Sequence, residues 1–244
     1  MPKVRGPRLL IYHQVGSGRG HEMNVEPSAF RRQIEWMRAH GEIVSLEEAI
    51  ERRGEPDSHR LFVLTFDDGY ADVFLNAFPV VVEQRIPFTL YLTSGPIESP
   101  IEFSNWPGTP IAWSQVREMV ESGLATVGAH THSHPDLRQV SKDAAADELD
   151  RSNGLIAERV GVVPKHFTYP KGWWAVQAHD AVCARYLTAT LGSGQGITEF
   201  SDLHALNRLP IQRSDTKTLF SRKARTGSRV EDSVRRFVNA YKGP

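Results

Sequence analysis

A single cysteine, Cys183, stands in a chain of 244 residues, which excludes an internal disulfide framework and any cysteine-rich zinc site. Any metal must therefore take histidine and carboxylate donors, and the lone thiol reads as a buried structural residue. Charge of one sign is also missing. Lys+Arg and Asp+Glu both total 29, so no net field draws the chain toward nucleic acid or an anionic membrane, and nucleic acid is not an expected partner. Long apolar runs are absent, and nothing approaches the roughly 20 apolar residues of a membrane span. The opening MPKVRGPRLLIYHQV carries basic residues, but its apolar run breaks at Tyr12 and His13 where a signal sequence would continue. The expected location is therefore the cytoplasm. With no repeat, low-complexity segment or linker, residues 1–244 are expected to form one domain. Composition fixes no oligomeric state.

What the chain does contain is strand-like segments alternating with helix-like ones. Leu9 to Ile11 reads as a strand ending at His13. Pro27 suits a first helical turn, with Phe30, Ile34 and Met37 on one face and Gly41 as the stop. Ser45 and Glu48 form a capping box for a second helix. LFVLTF (61–66) and PFTLYLT (87–93) read as buried strands joined by helical sequence punctuated at Pro79. Ser114 is the expected cap of a helix through Val116, Met119 and Val120 to Gly123. Ala125 to Ala129 is the next strand, and Leu149, Asn153, Ile156 and Val160 mark a longer helix. His166 to Tyr169, a helix over 176–185, Leu187 to Thr190 and Asn207 to Ile211 continue the alternation. Val230, Val234, Phe237, Val238 and Tyr241 share the face of a terminal helix, approached by a basic stretch, Lys217 to Arg229, that reads as solvated surface. The pattern predicts an α/β fold, a parallel sheet with helices outside, closed as a barrel or left open.

Two clusters can carry chemistry. Asp67 and Asp68 in TFDDGY follow a buried strand directly, where parallel α/β folds place their sites. Adjacent strand residues face opposite ways, so both carboxylates reach one site only if the backbone turns between them, which Gly69 favours. Asp-Asp-Gly alone is more often a surface turn. The second cluster, HTHSHP (130–135), changes that reading. Coiled by Pro135, it brings His130 and His134 to one face and leaves His132 beside the groove. Imidazoles without cysteine suit zinc, nickel, cobalt or iron over calcium or magnesium. Two histidines and one aspartate leave coordination positions open for water and substrate, and the other acid is free to act as a base. Such a metal lowers the pKa of water from about 15.7 to about 7, within reach of a carboxylate base.

These motifs resemble a known family. TFDDGY and HTHSHPDL are similar to the first two motifs of the polysaccharide deacetylases, carbohydrate esterase family four (the nodulation-type deacetylase homology domain), and FTYPKG to the third. LLIYHQV, the region of Phe30, Gln33, Gly41, Ser45 and Leu46, and DLHALNRLPI resemble the branch with the poly-N-acetylglucosamine deacetylases. The resemblance implies a distorted (β/α) barrel, seven-stranded. It also implies a hydrolase that releases acetate from an N-acetylated sugar, an N-acetylglucosamine-type glycan or precursor. It assigns Asp67 as general base and Asp68, His130 and His134 as ligands of one divalent metal, zinc first, with nickel or cobalt as alternatives. Tyr169 would lie beside the acetyl group, its backbone N–H binding the oxyanion, a contribution of about 2.7–4 kcal/mol. Tyr169, Pro170, Trp173 and Arg208 form the expected substrate-binding set, and Arg208 is a candidate partner of Asp67.

The family's C-terminal Leu-x-His strand is missing, because no histidine follows Arg208. His13 is assigned the general-acid role in its place, through a circularly permuted barrel, with His204 as the substitute. Trp106, Trp113, Trp173 and Trp174 are candidates for a sugar groove, and 96–110 for its lid. GSGQG (192–196) lacks the Lys-Ser/Thr of a phosphate loop and reads as a connector. The competing readings are a metal-dependent amidase on a non-sugar amide and a non-catalytic glycan-binding protein.

Overall fold

Buried runs of branched and aromatic residues form the strands, and the connecting helices turn one apolar face toward them. The computed structural model describes residues 6–16, 21–103, 105, 107–192, 194 and 196–227. Strand β1 (Arg8–Tyr12) precedes a small parallel pair, β2 (Gln14–Val15) and β3 (Asn24–Val25). Helix α1 (Pro27–His40) has proline in its first turn and buries Phe30, Ile34 and Met37, as the spacing predicts. After β4 (Glu42–Ile43) comes α2 (Leu46–Glu51), where Ser45 Oγ accepts the Glu48 N–H at 3.1 Å. Strand β5 (Leu61–Phe66) leads through a π-helical stretch into α3 (Phe78–Glu83), then β6 (Phe88–Leu92) and the short α4 (Ser94–Glu98). Helix α5 (Trp113–Glu121), β7 (Ala125–Ala129), α6 (Lys142–Val160) and β8 (His166–Thr168) follow. The described residues end with α7 (Val176–Arg185), β9 (Thr188–Leu191), β10 (Leu206–Asn207), β11 (Leu209–Pro210) and α8 (Lys217–Thr226).

All strand pairs are parallel, in the order β10-β9-β8-β7-β6-β5-β1-β11, with β4 beside the start of β5. Only Arg208 separates β10 from β11, so these are two halves of one segment that bonds β9 with its first half and β1 with its second. The eight strands of this path nearly close a (β/α) barrel, one more than the seven expected because Arg208 splits the 206–210 segment in two. Period-two alternation sorts the side chains. Leu10, Phe62, Leu64, Phe66, Leu90 and Phe167 join the large core with the helices, while Leu9, Leu61, Val63 and Leu206 form a second cluster.

Three local expectations change. Ser114 does not cap α5, because the helix begins two residues earlier than that cap requires, at Trp113, and the Gln115 side chain accepts the Ala112 N–H at 2.9 Å. Cys183 is exposed: α7 buries Ala178 and Val182, and the next residue rotates outward by about 100°. Lys217–Thr226 of the basic stretch form helix α8, and its Lys223 is buried against Asp215, Nζ to Oδ2 2.8 Å, instead of solvated. The terminal helix expected around Val230–Tyr241, and the positions Trp106, Ser193 and Gln195, lie outside the described residues. No helix among the described residues is long and apolar enough to cross a membrane.

Buried His166 donates or accepts at both ring nitrogens, Nδ1 to Thr188 Oγ1 and Nε2 to Glu47 Oε1, each 2.8 Å. The bond to His166 outweighs the upward push of burial and draws the Glu47 carboxyl down to about 2. A depressed folded-state pKa gives stability above the unfolded value that is lost as pH falls toward 2. Glu47→Gln is expected to lower stability at pH 7 by about 1 kcal/mol, a value reduced by solvent screening of the half-exposed carboxylate. The difference from wild type should shrink between about pH 4.5 and 2 in urea unfolding.

Candidate metal and catalytic site

Strand register gathers the functional residues at the carboxyl ends of the barrel. Tyr12 pairs with Phe66, so His13 and Asp67 leave β1 and β5 side by side, and the Asp67 N–H donates to the Tyr12 carbonyl at 2.9 Å. Leu92 pairs with Ala129, and the His130 N–H donates to the Leu92 carbonyl at 2.9 Å. The turn between the two carboxylates is left-handed at Asp68 (φ 75°) and Gly69 (φ 80°). Aspartate is among the few side chains that accept this region, and Gly69 enters it without a Cβ penalty. The same device bends the histidine segment, with Thr131 at φ 67° and His134 at φ 59°.

Asp68 Oδ1 lies 3.4 Å from His130 Nε2 and 3.7 Å from His134 Nε2, and one ligand atom from each of the three falls within 4.8 Å of the others. The first two separations match the roughly 3.3 Å expected between donors that each sit about 2.0–2.2 Å from a tetrahedral zinc. The Nδ1 of His130 is 2.8 Å from the Thr168 carbonyl. A carbonyl only accepts, so this nitrogen carries the proton and Nε2 presents a lone pair toward Asp68. Asp68 Oδ1 is buried without a hydrogen-bond partner. Two lone pairs converging at a buried point fit a cation between them. Burial draws the His134 imidazole down to about 4, with His130 adding to the effect and Asp68 opposing it, so the ring is neutral and ligand-competent at pH 7. Asp68, His130 and His134 could therefore hold a metal ion. His132 stays outside the cluster, with Nδ1 3.0 Å from Ser94 Oγ.

Asp67 is buried and held by Arg208 through two parallel bonds, Nη1 to Oδ1 and Nη2 to Oδ2, both 2.7 Å. Arg208 also donates to Thr65 Oγ1 (2.8 Å) and Thr168 Oγ1 (2.6 Å). Burial pushes the Asp67 carboxyl up. The Arg208 charge and hydrogen bonds, with His130 and His13, overcome that push and keep it below the ordinary carboxylate value.

The cleft over these groups has a volume of about 400 Å³ and includes His13, Asp67, Asp68, Tyr70, Lys171 and Gln212 in its walls. A larger groove of about 680 Å³ lies around Trp36 and Phe220 between α1 and α8, but the Asp-His-His cluster lies in the smaller cleft. His13 is present as expected, its Nδ1 buried and unpartnered. His204 lies outside, its Nε2 2.9 Å from the Tyr186 carbonyl.

The third motif is displaced from its expected role. Tyr169 is fully buried, its ring against Phe167, and its N–H already donates to the Thr190 carbonyl at 3.1 Å. Pro170 is buried beside it. The chain then turns through Lys171 at φ 62°, and Lys171 and Gly172 reach the cleft. Among the described residues the Lys171 N–H has no acceptor. Sequence reading missed Lys171. Arg208 is 1% exposed, borders the cleft, and has its guanidinium committed to Asp67 and two threonines. Trp173 and Trp174 are exposed, and Arg138 stacks 3.8 Å over the Trp173 ring. Trp113 is tied to Glu98 through Nε1 at 2.9 Å and serves packing.

Fold and site together define a parallel (β/α) barrel with a three-residue cluster at its carboxyl rim that could hold a metal ion and a second, ion-paired carboxylate beside it. The chain belongs to the polysaccharide deacetylase family, whose model matches residues 54–187, more than half of its length. It is 32% identical over 124 residues to a poly-beta-1,6-N-acetyl-D-glucosamine N-deacetylase of Escherichia coli, a match covering 46% of this chain and 18% of that protein. A Staphylococcus epidermidis enzyme of the same name is 30% identical over 147 residues, covering 59% and 49%. The chain thus spans half or less of the length of these two curated relatives. IcaB from Ammonifex degensii superposes with a TM-score of 0.75 at 23% identity, covering 90% of this chain and 96% of that one. A polysaccharide deacetylase from Bacillus cereus gives 0.76 at 22%, covering 91% and 69%. These likenesses establish the shared fold.

Proposed function

We propose that the protein is a metal-dependent N-deacetylase that hydrolyses the acetamido group of an N-acetylglucosamine-type glycan or precursor and releases acetate. The observation that carries this reading is the pairing of an Asp68-His130-His134 tripod with a separate, ionised Asp67 in one cleft. Zinc suits the donor set best, with nickel or cobalt next. A divalent ion held there would lower the pKa of water to about 7 and polarise the acetyl carbonyl. Asp67, kept unprotonated by Arg208, accepts the proton of the attacking water. Lys171, which lines the cleft and whose N–H has no acceptor among the described residues, donates that N–H to the developing oxyanion, the role first expected of Tyr169. His13, whose Nδ1 is buried in the cleft wall, protonates the departing amine, the general-acid role expected of it in a permuted arrangement. The exposed part of the Trp173 ring stacks on a pyranose ring.

Acetate release from N-acetylglucosamine oligomers, measured beside O-acetylated sugars and non-sugar amides, tests the assignment. Release from the oligomers is the expected result. Turnover of only a non-sugar amide would assign the same centre to an amidase, and metal binding without turnover of any substrate would favour a glycan-binding protein.

A further inference from the structure

The two histidine ligands flank a three-residue loop, Thr131-His132-Ser133, whose strained ends must be held against relaxation. Left-handed backbone at Thr131 and His134 is disfavoured for side chains of these types and persists only where surroundings over-determine it. The carbonyl side of the loop is fixed by α4: the Ser94 N–H donates to Thr131 O (3.2 Å) and the Gly95 N–H to His132 O (2.8 Å). Gly95 permits that approach, since a Cβ there would lie 2.6 Å from the His132 oxygen. Within the loop, Thr131 Oγ1 accepts the His134 N–H at 3.0 Å.

The amide side is held by a residue from another element. Glu148 projects from α6, and its Oε2 accepts the N–H groups of His132 (2.9 Å) and Ser133 (2.8 Å) while Oε1 accepts Ser133 Oγ–H (2.7 Å). All of the carboxylate's hydrogen bonds go to this loop. Bonds from amides to an ionised acceptor are about twice as strong as neutral ones, and three of them fix both position and orientation.

We propose that Glu148 is a positioning residue for the metal centre, clamping the loop so that His130 and His134 converge on Asp68 before a metal arrives. This rests on the metal-dependent reading of the site. Its chemical basis is preorganisation: without the clamp the loop relaxes, the two Nε2 atoms diverge, and metal binding must restore their geometry.

Zinc titration into the metal-stripped full chain, followed by calorimetry, tests it. Glu148→Ala is expected to weaken zinc binding about 10–100-fold, the usual cost of losing such a support. Glu148→Gln, which keeps a carbonyl oxygen for the two amides, is expected to recover most of the affinity. Ser133→Ala removes one bond without touching α6 and should weaken binding less, by up to about tenfold. A purely structural role would lower the melting temperature of the stripped Glu148→Ala protein and leave its zinc affinity unchanged, which overturns the proposal. Wild-type affinity in Ser133→Ala beside a Glu148→Ala protein that does not fold overturns it as well. His134→Ala serves as the reference: loss of binding there supports the metal site independently, and unchanged binding there overturns the metal site itself.

Discussion

Asp67→Asn is expected to lose about 10²–10⁴-fold in the rate of acetate release while still binding metal, because a general base contributes about that much and the tripod is built without it. Asparagine has nearly the shape of aspartate and can still accept from Arg208, but it cannot take a proton from water. Asp68 and the two histidines keep their places, so zinc affinity should stay within a few-fold of wild type. The substitution also leaves the buried Arg208 charge without an anionic partner, facing only the amide oxygen, Thr65 and Thr168, and a thermal melt beside the kinetics separates lost chemistry from lost folding. Asp68→Asn makes the complementary case, with metal and activity disappearing together. If Asp67→Asn retained most of its activity, the proton would have another destination and the assignment of the two acids would be wrong.

Arg208→Met should have two consequences of comparable size. The pair it breaks is buried on both sides, with Arg208 1% and Asp67 3% exposed. Removing one partner of a buried pair costs about 3–5 kcal/mol, because the other charge stays desolvated and uncompensated. Urea unfolding at pH 7 measures that loss. The second effect is on the pH–rate profile. In the wild type Arg208 opposes the upward push of burial and holds Asp67 below the ordinary carboxylate value. Without it, burial is opposed only by His130 and His13, and the pKa rises. The base works only when deprotonated, so the acid limb of kcat/KM moves to higher pH in the variant. The stability advantage of wild type runs with the same sign: it is present above the unfolded aspartate value of about 3.9 and fades as pH falls through the depressed folded value. Arg208→Lys keeps the charge and loses the two-pronged fit, and should fall between.

Much of the barrel was legible because its signals are local. LFVLTF and ATVGA each became a strand with the expected bounds, β5 and β7, since short apolar runs after turn residues leave few alternatives. The tripod was legible for a related reason. Gly69 and Pro135 mark places where the backbone leaves the strand, which lets neighbouring carboxylates and alternate histidines change face. Closure of the ring was harder to read, because Arg208 interrupts the 206–210 segment and its two halves bond different neighbours. The third motif misled on a single dihedral angle. Whether Tyr169 or Lys171 meets the cleft depends on a left-handed lysine, a conformation that lysine does not advertise. Glu148 carried no signal at all, since its contact with the histidine loop exists only once α6 has packed beside it. Cys183 shows the limit of residue-type averages: thiols are commonly buried, but its position on α7 faces outward.

The decisive measurement is acetate release from N-acetylglucosamine oligomers by protein stripped of metal and then titrated with zinc. Activity that vanishes on stripping and returns in proportion to zinc, reaching its plateau at about one equivalent per chain as a single tripod requires, is the expected result. Full activity in the stripped protein, or zinc bound at one equivalent with no acetate released, would contradict a metal-dependent deacetylase built on Asp68, His130 and His134.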